Sequence, residues 1–225
     1  MSGHEEHPVD DRAGAAPTTL ATGRLEAFSD GVIAVAATLL VLDIKTPEGS
    51  DALWPFLGHQ LPTLAAYVTS FLTILIFWVN HHALFHAVDR ADRTTLFLNG
   101  VLLLTVTFIS YATSVLGHAL QTGHNDSAAA ILYALTLAAA ASCFVALWLH
   151  LGRHRELLSP QARPRVRAAL RRSVTGPVLY TTAALLALAS PPASLALDAG
   201  VAVYFVALPA HLRNRPPRRD PQPPA

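Results

Sequence analysis

Arg24-Leu25-Glu26-Ala27-Phe28-Ser29-Asp30-Gly31-Val32-Ile33-Ala34-Val35-Ala36-Ala37-Thr38-Leu39-Leu40-Val41-Leu42-Asp43-Ile44 is the stretch on which the reading of this chain turns. Arg24, Glu26, Ser29 and Asp30 crowd its entrance, and beyond Gly31 the polar content falls to Thr38 until Asp43 is reached. Only 12 residues separate Asp30 from Asp43, about 18 Å of helix at 1.5 Å per residue. A hydrocarbon core is about 30 Å thick, so a helix built from this segment spans it only by continuing past both acids. Charge at that depth is costly unless paired or hydrated. Ser29 and Asp30 accept hydrogen bonds and Arg24 offers a carboxylate its partner, so together they are suited to pin this helix within a bundle.

Working outward, runs of near 20 apolar residues recur at about 25–45, 61–82, 95–116, 127–149, 173–190 and 193–211. The reading is all-α: a polytopic membrane protein of six transmembrane helices. Ser190-Pro191-Pro192-Ala193 divides the last two, because consecutive prolines cannot continue a helix. Gly176-Pro177, near the start of the fifth run, offers one possible helix break.

Composition agrees. The 225 residues are 52% hydrophobic and 14% charged with mean hydropathy +0.38, against about 25% charged in ordinary soluble domains. Disordered, collagenous and disulfide-scaffold classes are excluded, and with Cys143 alone the chain has neither an intrachain disulfide nor a cysteine metal site. The leader carries Glu5, Glu6, Asp10 and Asp11 ahead of the first apolar run, the wrong order for a cleaved secretory signal. Residues 1–20 and 213–225 are expected to be disordered cytoplasmic tails, the second basic and proline-rich, flanking a six-helix transmembrane domain at 21–212.

Basic residues mark the cytoplasmic side of membrane proteins. With six spans, all 15 arginines fall on one side, the side of both termini, and Lys45 alone falls on the other. A bacterial-type inner (plasma) membrane location with both termini cytoplasmic follows. Seven of those arginines lie between Arg153 and Arg172, in either a retained loop or a short amphipathic helix on anionic headgroups.

On a helical wheel Val35, Thr38, Leu39 and Leu42 fall at i, i+3, i+4 and i+7, one stripe about two turns long. By composition this is an ordinary packing surface. The spelling around it is more specific. Arg24-x-x-x-Phe28-Ser29-Asp30-Gly31, then Thr38-Leu39-Leu40-Val41-Leu42, and Phe77-Trp78-Val79-Asn80-His81-His82 in the second run closely resemble the signature of the transmembrane protein 175 family. The resemblance implies a potassium-permeable cation channel. It also implies that a chain with a single repeat, as here, forms its pore by tetramerisation around the first helix. Val35, Leu39 and Leu42 match the family's aliphatic constriction, with Thr38 adding a ring of hydroxyls. Arg24, Phe28, Ser29 and Asp30, with Trp78 and His81 or His82, match the network that supports the pore helix. Potassium ions, the lipid bilayer and further copies of the chain are the implied partners, with no nucleic acid, cofactor or metal. No Thr-Val-Gly-Tyr-Gly carbonyl filter occurs, so a modest potassium preference is expected.

Two rival readings use other residues. His81-His82-x-x-x-His86 and His150-x-x-x-His154 give helical i, i+4 pairs of the kind used by membrane di-iron enzymes. Five histidines are too few for such a site without carboxylates such as Asp89 and Asp92. A proton-coupled secondary transporter is the alternative function, with Asp30, Asp198 and the histidines as relay candidates.

Overall fold

The computed structural model describes residues 22–47, 52–124 and 126–212, with side chains to residue 207. The tails expected at 1–20 and 213–225 lie outside the described residues. Six helices follow one another: α1 (Thr22–Leu39), α2 (Leu53–Phe85), α3 (Arg93–Thr122), α4 (Asp126–Arg153), α5 (Val166–Ala187) and α6 (Pro191–Leu212). The described residues contain no β-strand beyond an isolated bridge between Val88 and Leu158. The protein is an all-α membrane protein. α1 to α4 are each long and apolar enough to cross a bilayer. α5 is marked instead by Arg167, Arg171 and Arg172 in its first two turns, and the apolar part described in α6 is Pro191–Ala207.

The ends of these helices differ from the apolar runs for local reasons. α1 does not continue as α-helix to residue 45. It tightens into a 3₁₀ turn over Leu40–Asp43, after which the chain turns extended at Ile44. α2 begins at Leu53 rather than 61 and runs through Pro62; at 33 residues it is about 50 Å long, well over the bilayer core. Gly58-His59-Gln60 interrupts the apolar run, yet helix persists because backbone groups in or near lipid must bond internally. α5 likewise passes through Pro177 without a break. The division between α5 and α6 falls as read, with Pro191 at the first turn of α6, where a missing N–H costs no bond.

Asp92 caps α3: its Oδ1 accepts from the Thr95 backbone N–H at 2.8 Å and the Thr95 hydroxyl at 2.7 Å. Gly123 closes the same helix with φ 66°, a left-handed conformation that favours glycine. The segment Arg153–Arg172 is no continuous amphipathic helix. It forms 3₁₀ turns at Arg155–Leu157 and Arg163–Arg165, then enters α5. Backbone bonds from Asp89 N–H to the Leu157 carbonyl, 2.8 Å, and from Ser159 N–H to the Ala87 carbonyl, 3.0 Å, knit the two arginine-bearing loops together.

The core lies where α2, α3, α4 and α5 meet, and α4 against α5 is the most extensive interface. Small residues make that closeness possible. A side-chain carbon at Gly176 would stand 3.1 Å from Ala141 Cβ, and one at Gly152 would stand 3.2 Å from Val166. Among the described residues α1 packs chiefly on α2 and α3, whereas α6 packs on α5, α2 and α4.

Candidate functional site: the first helix and its anchors

α1 has two faces of different character. Ser29, Ile33, Ala36 and Leu40 are buried against α2 and α3. The opposite face carries Phe28, Val35, Thr38, Leu39 and Leu42, all exposed; Val35 is 55% exposed, Leu39 44% and Leu42 75%. Thr38 is the polar exception on that face, and its hydroxyl donates to the Val35 carbonyl at 2.9 Å. Where the 3₁₀ turn begins, side chains three apart eclipse one another, so Leu42 stays in line with Leu39. The four stripe residues singled out by spacing thus lie together on the side of α1 that this chain leaves uncovered.

The buried face is held by polar bonds to two other helices. Asn99, on α3, is the hub: its side-chain N–H donates to Ser29 Oγ at 2.9 Å, and its Oδ1 lies 3.0 Å from His81 Nε2 on α2. An amide oxygen only accepts, so His81 carries its proton on Nε2; its Nδ1 is buried without a partner. Ser29 completes the chain by donating to the Leu25 carbonyl at 2.8 Å. One turn above mid-helix, Ser110 of α3 donates to the Ala36 carbonyl at 2.9 Å.

A second, outer pair flanks this line. Trp78 Nε1–H donates to Asp30 Oδ1 at 2.9 Å on the exposed side of the α1–α2 seam. Asp30 therefore takes its partner from an indole, and Arg24 stands exposed at the helix start. His82 points outward and stacks on Trp78 and His86, so the two adjacent histidines divide: His81 turns in to Asn99, His82 turns out. Phe28 is exposed and takes no part in either pair.

Sequence reasoning passed over Asn99 and Ser110. Part of the signal was available: Asn99 is the single amide side chain in the run at 95–116, and Ser110 lies 11 positions on, about three helical turns and hence on the same face. Asn99 is 1% exposed.

The rival sites take other partners. His150 Nε2 engages both Asp92 oxygens, at 3.1 and 3.0 Å, and His154 Nδ1 lies 3.1 Å from the His150 carbonyl. Burial works against the charged form of Asp92, but Thr95 and His150 together hold its carboxyl below the ordinary value of 3.8. Among the described residues no three His, Cys, Asp or Glu side chains converge on a metal-sized site. Asp198 is buried in α6, which packs on α5, α2 and α4, whereas Asp30 lies on α1, which packs on α2 and α3.

The geometry can be set beside known proteins. The family model for the endosomal/lysosomal potassium channel TMEM175 matches residues 24–109, which hold the stripe and every member of the anchoring network but Ser110. A potassium channel of Streptomyces collinus is 44% identical over 187 residues, covering 82% of this chain and 91% of that protein. The chain belongs to the TMEM175 family. A second family member, a potassium channel of Chamaesiphon minutus, is 40% identical over 195 residues, 84% of this chain and 96% of its own. The crystal structure of a lysosomal potassium-selective TMEM175 homolog from Chamaesiphon minutus superimposes with a TM-score of 0.74 at 38% identity, covering 86% of this chain and 98% of that one. The TMEM175 fold thus accounts for most of this chain.

Proposed function

We propose that the chain is one subunit of a homotetrameric, potassium-permeable cation channel of the plasma membrane, with both termini cytoplasmic and the exposed face of α1 lining the pore. The observation that carries this reading is the asymmetry of α1. Only 22% of its apolar window is buried within the chain, against 39–56% for α2, α3 and α4, yet its other face is fastened by side-chain bonds to α2 and α3. A span that merely faced lipid has no need of such fixing. A span whose outer face sets the width of an ion path does, since a turn of the helix by one position replaces the side chains that line it. Relatives named as potassium channels over most of the chain support the same activity.

In four copies, Val35, Leu39 and Leu42 form successive aliphatic rings with the Thr38 hydroxyls between them. Such rings exclude water when narrow and make a cation pass partly dehydrated. The one-sided arginine distribution supports the orientation. Ser29, Asn99 and His81 are assigned as the centre of the pore-helix support and Trp78 with Asp30 as its margin, while Arg24, Phe28 and His82 are exposed beside it.

Native mass measurement of the purified protein tests the stoichiometry, with four chains expected. Accessibility tests the pore. In a Cys143→Ser background, Leu39→Cys or Leu42→Cys exposes a thiol to the ion path, so a thiol-reactive cation is expected to block current irreversibly. Unblocked current in both, beside normal labelling from the lipid phase, would move this stripe to an outer surface.

A further inference from the structure

We propose that the groove between the end of α2, the end of α4 and the start of α5 binds the phosphate headgroup of an anionic phospholipid. It encloses about 830 Å³. Its polar side is formed by His86, Ser159, Gln161, Arg165 and Arg172, and no acidic side chain lines it. Arg165 and Arg172 are exposed, and neither has a salt bridge among the described residues. They stand seven positions apart, two helical turns, and so share a face with about 10 Å between them along the axis. Between them that face offers Ala168 and Ala169, whose small side chains leave the space open.

Shape and depth fit a lipid better than a soluble anion. The opposite wall is Ala83, Ala87 and Trp148, an apolar lining with an aromatic ring of the kind that settles at headgroup level. The groove lies at the level where α2 and α4 end, beside the loops that carry Arg90, Arg155, Arg163 and Arg165. Arg172 also borders a second, narrow cleft that runs deeper between α2, α4, α5 and α6, past Phe77, Phe144 and Phe205. The floor is preformed, since the bonds between residues 87–90 and 157–159 fix the loops that shape it. None of the lining belongs to α1 or α3, so the site is separate from the proposed pore face and stands whether or not that face conducts ions.

The test is native mass spectrometry of the full-length protein in detergent, incubated with phosphatidylglycerol or phosphatidylcholine. Wild type is expected to retain phosphatidylglycerol preferentially. Arg165→Gln with Arg172→Gln is expected to lower its affinity about tenfold, while Arg153→Gln with Arg155→Gln, outside the groove and equal in charge change, leaves it within about twofold. Ala169→Trp, which fills the groove without altering charge, is expected to weaken retention as well, and Arg165→Lys with Arg172→Lys to preserve most of it. Millimolar inorganic phosphate is expected not to displace the lipid. Equal losses in the two arginine-to-glutamine pairs would reduce the effect to general surface charge and overturn the proposal. Displacement by inorganic phosphate, or equal retention of phosphatidylcholine by wild type, would overturn it too.

Discussion

Replacing Asn99 with Leu removes the one side chain that joins α1, α2 and α3. The substitution nearly conserves volume, so the loss is polar. Two side-chain bonds go, that from Asn99 to Ser29 and that with His81. In membrane bundles such bonds are worth about 0.6 kcal/mol on average and about 1.7 at most. His81 is 1% exposed and already has an unpartnered Nδ1, so its Nε2–H would be stranded as well. A buried donor left without a partner costs about 1–3 kcal/mol. Ser29 keeps its acceptor at Leu25 and suffers less. At the average bond value the sum is about 2–4 kcal/mol, for two lost bonds and one stranded donor. By contrast Asp30→Asn changes an exposed bond and is expected to cost under about 1 kcal/mol. Denaturation in mild detergent, followed through the three tryptophans, gives both numbers, and a double-mutant cycle with His81→Phe isolates the shared bond. A stability change for Asn99→Leu no larger than that for Asp30→Asn, with unaltered currents, would refute the claim that this buried line is what holds α1.

The other expectations rest on single contacts. Leu39→Ala and Leu42→Ala each widen a proposed ring, so bilayer recordings should show larger unitary conductance and weaker potassium preference. Asp92 is more acidic folded than its ordinary value of 3.8. Its contribution to stability is therefore full above that value and is lost as pH falls through the lower folded value; Asp92→Asn should flatten this acid limb in thermal melts across pH 2–6. Gly176→Leu drives a side chain into Ala141, 3.1 Å from the new Cβ. The expected cost is about 1–3 kcal/mol of overpacking, measured by the same denaturation series.

What could be read before any coordinates were known divides along a physical line. Signals carried by neighbours in the chain were legible: the apolar runs, the proline pair before α6, and the i, i+3, i+4, i+7 stripe on α1. The spelling from Arg24 to Leu42 led as far as the family. Signals set by packing were not. Ser29 and Asn99 are 70 positions apart and Ala36 and Ser110 are 74 apart, and only the crossing of α1 with α3 brings them together. His81 and His82 differ by about 100° around one helix, so spacing offers both as candidates and only the position of α3 selects His81. Asp30 takes its bond from the Trp78 indole, 48 positions away, a partner that spacing along the chain does not disclose. Helix length was underestimated for α2 because hydropathy registers the break at Gly58-His59-Gln60, whereas the backbone needs only its own hydrogen bonds.

The most direct test of the central claim is single-channel recording of the purified protein in a planar bilayer, with potassium on one side and sodium on the other. The account predicts discrete current steps whose reversal potential is displaced toward that of potassium, and larger steps from Leu39→Ala. Silence from verified tetramers, together with saturable, proton-driven flux in liposomes, would contradict it.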